Sequence, residues 1–265
     1  METLDLFNSG HLGDAIASAT ADVKSKPSDI DLRSVLADLL CFSAEYERAD
    51  KHLDAITKLE PSAATVASLT RQLVRAETWR QDFYREGRTP EFLTKPSENV
   101  KLQLRASIAM REGATEEAAG LLGEVEEARV PLACTSDDQS FEDLRDCDDL
   151  VGGVFEVFTS TGKYYWVPMD TVREIEPRPI ERPRDLLWRR VRLEVADGPE
   201  GEVYLPTLYS PMPEGASEAM RLGRLTEFTE SDPVRGLGRR QFLLGDDAVS
   251  VDDLPYLRFP VASEG

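Results

Sequence analysis

The sequence predicts a multidomain α and β fold, in which an N-terminal tetratricopeptide-like helical repeat domain precedes a C-terminal β-rich, barrel-like α+β domain. Three observations predict this fold. A 34-residue repeat marks the first part of the chain, helical periodicity ends at Pro131, and short alternating apolar runs continue from there. Because 265 residues suffice for two separate cores, we place the domains at residues 1–130 and 131–265.

The helical repeat consists of two segments that match in residue size and type at a spacing of 34 residues. Their order of small and apolar positions is typical of the second helix of a tetratricopeptide repeat, where small residues let paired helices approach closely. Residues 31–43 fit the first helix of the second repeat. The matched residues are Gly10, Leu12, Ala15, Ala19 and Pro27 in one copy and Ala44, Tyr46, Ala49, Leu53 and Pro61 in the next, with a weaker copy at Gly113, Thr115, Ala118, Leu122 and Val125.

Three more helices are predicted before the domain boundary. Residues 63–86 form one long helix, because apolar residues recur there at roughly 3.6-residue spacing. Gly87 and Pro90 end this helix. Residues 99–111 and 115–128 then form a second antiparallel pair.

The C-terminal domain is predicted from short runs of alternating apolar residues, a pattern typical of strands. Turn residues at 160–162 and 197–201 connect two pairs of these runs as hairpins. We therefore expect a small antiparallel sheet with the shape of a barrel. The predicted strands are residues 154–159, 163–168, 188–195, 202–206, 239–244 and 256–259.

The charge of the chain excludes several classes of partner. Lysine and arginine number 31 and aspartate and glutamate 50, so the net charge is 31 − 50 = −19. A chain this acidic is repelled by nucleic acid and by anionic membranes. The sequence has no apolar run long enough to insert into a membrane, and its acidic N-terminus lacks the features of a signal peptide. We therefore expect a cytoplasmic protein.

Residues 136–150 are the densest group of carboxylates, with Asp143, Asp146 and Asp148 placed around the single Arg145. Clustered carboxylates can bind Mg²⁺ or Ca²⁺, or act in acid catalysis, and a metal-dependent enzyme is therefore one alternative. The segment lacks the ligand spacing of an EF-hand. We favour a structural role, in which Arg145 pairs with Asp143, Asp146 or Asp148, and we expect no metal site.

Two aromatic segments offer another candidate site. Tyr165, Trp166 and Pro168 lie in one predicted strand, and Trp188 begins the next long strand, directly after a loop that Arg184 and Asp185 could clamp. Large aromatic side chains can line a ligand or peptide groove, or can form the core of the sheet. The core is the interpretation that we favour for Trp166 and Trp188.

Catalytic signatures are missing from the sequence. The chain has two histidines, His11 and His52, and neither belongs to a known hydrolase or metalloprotease motif. Its three cysteines are an odd number without CxxC spacing, which indicates reduced thiols. We expect no enzyme activity and no cofactor.

Helical repeats stack so that the first helix of each pair lines a concave face, which can accept a helix or an extended peptide. In this chain that face is predicted to carry Arg33, Leu36, Ala37 and Leu40. Leu36 and Leu40 are expected to pack in the core as well as on this face. Arg33 is therefore the better candidate for a side chain that contacts only the partner.

The order of short motifs along the chain resembles the ImpE family, also called TagJ or SciE, of accessory proteins in bacterial type VI secretion. The family pattern favours glycine where Ala44 stands and tryptophan where Phe228 stands. The segments that carry the resemblance are GHLGDAI, RSVLADLLCFSAEYERAD, LVRAETWRQDFYREGRTPEFL, FEDLRDCDDL, YYWVPMD, RDLLWRRVRLEVADGPEGEVYLPTLY and LGRLTEF, the last of which contains Gly223 and Arg224.

The resemblance implies a non-enzymatic adaptor. Members of the family are thought to bind the small subunit of the contractile sheath, of the TssB or VipA type, and through it to influence sheath assembly or disassembly by the ClpV ATPase. The residues alone leave a second interpretation open, which is a general receptor for peptides or a co-chaperone of the tetratricopeptide type.

Overall fold

A computed structural model describes residues 2–137 and 139–260, and it confirms a helical N-terminal region followed by an antiparallel sheet. The last long helix ends at Ala128 and the first strand begins at Cys134. The helices are α1 (Glu2–Ser9), α2 (Leu12–Ser25), α3 (Ile30–Phe42), α4 (Tyr46–Leu59), α5 (Ala64–Glu86), α6 (Glu98–Arg111) and α7 (Thr115–Ala128).

The repeat corresponds to a recurring helical turn. Helices α2 and α4 begin at residues 12 and 46, and 46 − 12 gives the predicted spacing of 34. Two residues before α2, α4 and α7, the backbone takes a positive φ, of 93° at Gly10, 60° at Ala44 and 75° at Gly113. Each left-handed residue ends one helix and lets the chain turn back into the next.

The small residues of the repeat lie where helices touch. Ala15, Ala49 and Ala118 are each 0% exposed, in α2, α4 and α7 respectively. An alanine at such a position allows the backbones of paired helices to approach more closely than a larger side chain would. The repeat pattern in the sequence therefore reflects the close packing of paired helices.

Ala44→Gly is expected to raise the free energy of unfolding by about 0.5 to 1 kcal/mol, because glycine adopts a positive φ without the clash that a Cβ introduces. Chemical denaturation with urea measures the change. Ala119→Gly is the matched control, since this alanine lies inside α7 at a helical φ, where glycine lowers stability by about 0.5 to 1 kcal/mol. A loss of stability at both positions would contradict the prediction.

The C-terminal region contains an eight-stranded antiparallel sheet and two smaller sheets. The strands of the large sheet follow the order β2-β1-β13-β6-β7-β8-β4-β5, and the three-stranded sheet the order β12-β11-β3. Among the described residues the large sheet is therefore open at β2 and β5 and does not close into a barrel. The strands are β1 (Cys134–Ser136), β2 (Gln139–Phe141), β3 (Leu144–Asp146), β4 (Val154–Phe158), β5 (Tyr164–Pro168), β6 (Val172–Pro177), β7 (Trp188–Val195), β8 (Glu200–Pro206), β9 (Thr226–Phe228), β10 (Gly236–Gly238), β11 (Gln241–Leu244), β12 (Asp247–Ser250) and β13 (Leu257–Arg258), with a short helix α8 (Glu218–Arg221) between β8 and β9.

Both predicted hairpins are present. The β4–β5 turn closes with the Gly162 N–H donating to the Thr159 carbonyl at 3.1 Å, and the β7–β8 turn with Gly198 N–H donating to Val195 at 3.1 Å. Strand β6, which pairs with β7 and β13 in the middle of the large sheet, was not among the predicted strands.

The large sheet has two buried faces, and each belongs to a different core. One core joins the inner sides of the helices to Phe158, Tyr164, Trp166 and Trp188 of the sheet. The other lies on the opposite face and includes Phe155 of the same strand β4. Because the first core crosses residue 130, the division into domains 1–130 and 131–265 stays a prediction.

Candidate functional site

The predicted partner-binding residues of α3 do not lie on an open groove. Leu36, Ala37 and Leu40 are 1%, 0% and 0% exposed, so in this structure they are core positions, and their contact with a partner stays a prediction. Arg33 donates from its guanidinium to the Pro27 carbonyl at 2.9 Å and so stabilises the loop before its own helix. The shared core role expected for Leu36 and Leu40 is the role that they have.

The inner face of the helices is occupied by the sheet region of the same chain. A short 3₁₀ helix, Pro183–Leu186, packs against α3. Arg184 is buried there and donates to the Thr70 hydroxyl of α5. Two turns further along α5, Glu77 accepts a hydrogen bond of 3.3 Å from the indole of Trp188. This intramolecular packing is the physical reason that the predicted groove is closed.

The other predicted residue of this loop, Asp185, holds the loop itself. Its carboxylate accepts from the backbone N–H groups of Glu181 and Arg182 at 2.9 and 3.0 Å. This contact fixes the approach to the Pro183–Leu186 turn, and it agrees with the predicted clamp.

Asp38 of α3 faces this contact and is 5% exposed. One of its carboxylate oxygens has no hydrogen-bond partner among the described residues. Burial raises the pKa of Asp38 from 3.8 to about 7, while Arg184 and Arg182 oppose the rise and Asp185 adds to it. Near neutral pH the contact between α3 and the sheet region therefore holds a carboxyl group that is partly protonated.

Protein stability is expected to fall between pH 5 and pH 8 through Asp38. Its folded-state pKa of about 7 lies above its ordinary value of 3.8, so its stabilising contribution is complete below pH 3.8 and is lost as the pH rises through 7. Integrated between pH 5 and 8, the loss amounts to roughly 3 kcal/mol. Urea denaturation of wild type and Asp38→Asn across this range measures it. An unchanged slope in Asp38→Asn would contradict the assignment to this residue.

A second contact between the two regions joins the first two helices to the segment after β8, and we call it the clasp of Glu218 and Arg224. Glu218 of α8 accepts from the backbone N–H groups of Leu12 and Gly13 at 3.1 and 2.7 Å, which caps the N-terminus of α2. Arg224 donates at 2.8 Å to the carbonyls of Phe7 and Asn8 at the C-terminal end of α1. Residues of the C-terminal region thus provide hydrogen-bond partners for the backbone at the end of α1 and at the start of α2.

The neighbouring Gly223 has a positive φ of 65°. A Cβ at this position would collide with the guanidinium of Arg239, which donates to the Gly223 carbonyl at 3.0 Å. Gly223 and Arg224 therefore have structural roles in positioning the clasp.

A buried network of charges lies between α5 and the sheet. Glu156, in the middle of β4, is 0% exposed and accepts two hydrogen bonds from Arg80 of α5 at 2.9 and 2.8 Å. Arg240 and the hydroxyl groups of Tyr84 and Tyr164 also donate to this carboxylate. Burial alone would raise the pKa of Glu156, but Arg80 and Arg240 hold it well below its usual range. Glu156 therefore stays ionised and links the two regions of the chain.

The charged side chains of the acidic segment around β3 form ion pairs within the protein. Asp143 pairs with Arg129, with both oxygen–nitrogen distances at 2.7 Å. Arg145 pairs with Asp149 at 2.7 Å and with Glu126 at 3.2 Å, so its predicted pairing with Asp143, Asp146 or Asp148 is wrong. The side chain of Arg145 reaches across to the end of α7, which the sequence could not indicate.

The other two candidate aspartates, Asp146 and Asp148, are almost completely buried. Asp148 accepts from Arg235 at 2.8 and 2.9 Å and from the Gly236 N–H at 3.0 Å. Asp146 accepts from the Tyr209 hydroxyl at 3.0 Å and lies 3.4 Å from Arg240. Within residues 2–137 and 139–260, no group of three or more histidine, cysteine or acidic side chains is arranged to hold a metal ion.

The aromatic candidates are core residues. Trp166 and Trp188 are 0% and 2% exposed, and Trp166 packs edge-on against Phe83 of α5 with ring centroids 5.0 Å apart. Tyr165 points to the opposite face of the sheet and packs against the second core, and Pro168 ends β5 opposite Val154. Trp166 is thus part of the core, whereas Trp188 also borders a cleft beside α5.

A cavity lies between the helices and the sheet region. We call it the inter-region cleft, and its volume is about 460 Å³. It lies between the C-terminal half of α5, the end of α3 and the segment 208–215, with Arg221 at its border. Its apolar lining comes from Phe42, Leu187, Trp188, Leu208, Met212 and Pro213.

The fold defines the class of this protein. In this class, helical hairpins are fused to an antiparallel sheet that packs against the inner face of the helices. The ImpE protein family model matches residues 138–258. Over 256 residues the chain is 30% identical to TagJ, a type VI secretion system accessory component of Pseudomonas aeruginosa, covering 96% of this chain and 90% of that protein. The chain belongs to the ImpE family.

A solved structure has the same architecture over nearly its whole length. The crystal structure of protein VPA1032 from Vibrio parahaemolyticus matches with a TM-score of 0.90 at 29% identity, and the match covers 98% of each chain. Helices and sheet are therefore placed relative to each other as in that protein. Of the described helices, none combines the length and the apolar composition that crossing a bilayer requires.

Proposed function

We propose that this protein is a non-enzymatic accessory component of a bacterial type VI secretion system, acting in the cytoplasm. The observation that carries the proposal is the likeness to TagJ along almost the whole chain, which covers helices and sheet together. The structural roles of Asp143, Asp146 and Asp148 also favour this function over a metal-dependent enzyme.

The partner in this proposal is the small subunit of the contractile sheath, of the TssB or VipA type. Binding to this subunit would let the protein modulate sheath assembly or disassembly by the ClpV ATPase. The net charge of −19 favours a partner segment with an excess of positive charge, since opposite charges accelerate the encounter.

Direct binding to the purified small sheath subunit tests the proposal. The full-length protein is immobilised and association is followed by biolayer interferometry at low and at raised salt. We expect saturable binding whose association rate falls as salt is raised. Absence of saturable binding to the subunit, both alone and assembled with its large partner subunit, would contradict the proposed function.

A general peptide receptor or co-chaperone is the alternative function. In such a receptor the peptide lies on the inner face of the repeats, and here that face is packed against residues 183–188 of the same chain. Equal affinity for the sheath subunit and for unrelated unfolded chains would favour this alternative.

A further inference from the structure

We propose that the contact between α5 and the sheet is a proton-dependent lock, which is closed when Asp146 carries a proton and loosens when that proton is lost. Asp146 lies on β3, is 0% exposed, and belongs to the buried network that joins α5 to the sheet. The lock is a property of this chain alone and needs no partner.

The buried network holds more carboxyl groups than guanidinium groups. Four carboxyl groups and three guanidinium groups are in contact within it, so with every group ionised it carries one excess negative charge. A net charge in the interior is costly, because the protein solvates it less well than water does. One proton on a carboxyl group removes this charge. The carboxyl groups are those of Glu77, Asp146, Asp148 and Glu156, and the guanidinium groups are those of Arg80, Arg235 and Arg240.

Asp146 has a carboxyl oxygen that is free to carry the proton. Its Oδ1 accepts from the Tyr209 hydroxyl at 3.0 Å and from the Asp148 N–H at 2.9 Å. Its Oδ2 has no hydrogen-bond partner among the described residues and lies 3.4 Å from Arg240, which donates to Glu156 instead. A proton on Oδ2 therefore displaces no hydrogen bond of the network.

The other three carboxyl groups have donors on both oxygens. Glu156 accepts the hydrogen bonds of two guanidinium groups and two hydroxyl groups described above. Asp148 accepts from Arg235 with both oxygens and also from two backbone N–H groups. On Glu77 one oxygen accepts from an amide and the other from an indole. Because such donors stabilise the ionised form, the proton belongs on Asp146.

The charges around Asp146 favour its protonated form. Burial raises the pKa of Asp146 from 3.8 to about 7, while Arg240 opposes the rise and Asp148 adds to it. Among the described residues, Arg240 is the one cation within 4 Å of this carboxyl group, since the neighbouring Arg145 is paired elsewhere at 2.7 and 3.2 Å. The charged and titratable groups of the surrounding elements are Arg145, Cys147, Asp148 and Asp149 in the acidic segment, Glu77, Arg80 and Tyr84 on α5, Glu156 on β4, Tyr164 on β5, Tyr209 after β8, and Arg235 and Arg240 beside β10.

Loss of the proton weakens the contact between α5 and the sheet. Ionised Asp146 competes with Glu156 for Arg240 and restores the excess negative charge of the network. The stabilising contribution of protonated Asp146 is complete below pH 3.8 and is lost as the pH rises through about 7. Near neutral pH the lock therefore responds to the proton concentration around the protein.

Hydrogen exchange of the α5 amides, corrected for their intrinsic rates, measures the lock in the full-length protein from pH 5.5 to 8.5. All variants carry Asp38→Asn, so that the titration of Asp38 does not contribute. With a pKa of 3.8 in the open state and about 7 in the closed state, opening is expected to increase about thirtyfold more with Asp146 than with Asp146→Asn. The same pH dependence with and without Asp146→Asn would overturn the lock.

Asp143→Asn is the matched control from the same segment. Burial would raise the pKa of Asp143, but Arg129 holds it below its ordinary value of 3.8, so this carboxyl group is ionised throughout the pH range of the experiment. Asp143→Asn is expected to change the level of exchange and to keep its dependence on pH. Loss of the pH dependence in this control as well would overturn the assignment to Asp146.

Carbon-13 spectra of the aspartate side chains detect the proton directly, without the Asp146→Asn substitution. The Cγ signal of Asp146, assigned through its backbone, is expected to titrate with a midpoint near pH 7. The Cγ signal of Asp143 is expected to stay at its ionised position from pH 5.5 upwards. A midpoint below pH 6 for Asp146 would overturn the proposal.

Discussion

Glu156→Gln is expected to lower the free energy of unfolding by about 3 to 5 kcal/mol, the largest effect of a single charge that the structure predicts. The substitution keeps the shape of the side chain and removes its charge. Arg80 and Arg240, which are 2% and 1% exposed, would then keep their charges in the interior with less compensation. A buried charge that loses its partner lowers the free energy of unfolding far more than the loss of an exposed ion pair does.

Urea denaturation followed by circular dichroism measures this loss, with Glu202→Gln as the matched control. Glu202 pairs with Arg178 at 3.2 Å but is about half exposed, so its loss is expected to cost less than about 1 kcal/mol. Similar values for Glu156→Gln and Glu202→Gln would show that the buried network does not hold the two regions together.

Trp166→Ala is expected to lower the free energy of unfolding by about 3 to 5 kcal/mol. Trp166 is completely buried between the sheet and Phe83 of α5, and its indole donates to the Tyr164 hydroxyl at 2.6 Å. Truncation leaves a cavity at the contact of helices and sheet, and it removes a donor from the tyrosine that holds Glu156.

The control for this variant is Trp79→Ala. Trp79 also lies on α5, but it is only partly buried and stacks against the exposed guanidinium of Arg88 at 3.9 Å. Its loss is expected to cost about 1 kcal/mol. If Trp166→Ala proved as mild as Trp79→Ala, the tryptophan would not be a core residue.

The helical part of the fold could be predicted because its signals are local. Ala15 and Ala49 occupy the same position in two copies, and the turn before each helix repeats with them. Helix packing at a fixed period leaves a pattern within one window of sequence. Strand β6 was missed because its residues, VREIEP, alternate only weakly between apolar and polar.

The buried network could not be predicted because its members are distant in sequence. Glu156 and Arg80 are 76 residues apart, and Glu156 and Arg240 are 84 apart. A signal was present in the form of one carboxylate inside the apolar run VFEVF, since a charge within a fully buried strand requires a partner. The identity of that partner is decided by the tertiary fold.

Contacts between distant parts of the sequence also explain why the groove that the sequence predicted is closed in the structure. The concave face of α3 was inferred from the geometry of repeats alone, which does not include residues 183–188 packing against it. Leu36 and Leu40 carry the apolar pattern of a core position and of a binding position equally well. Only the position of the sheet distinguishes these two roles.

The clasp formed by Glu218 and Arg224 affects how the chain folds during its synthesis. The hydrogen bonds that complete the ends of α1 and α2 span 206 and 217 residues, so the first helices to leave the ribosome lack these partners until most of the chain has emerged. Contacts between such distant residues form late and slow the final folding step. The nascent N-terminal hairpin is thus exposed to proteases and chaperones longer than its early position in the chain would imply.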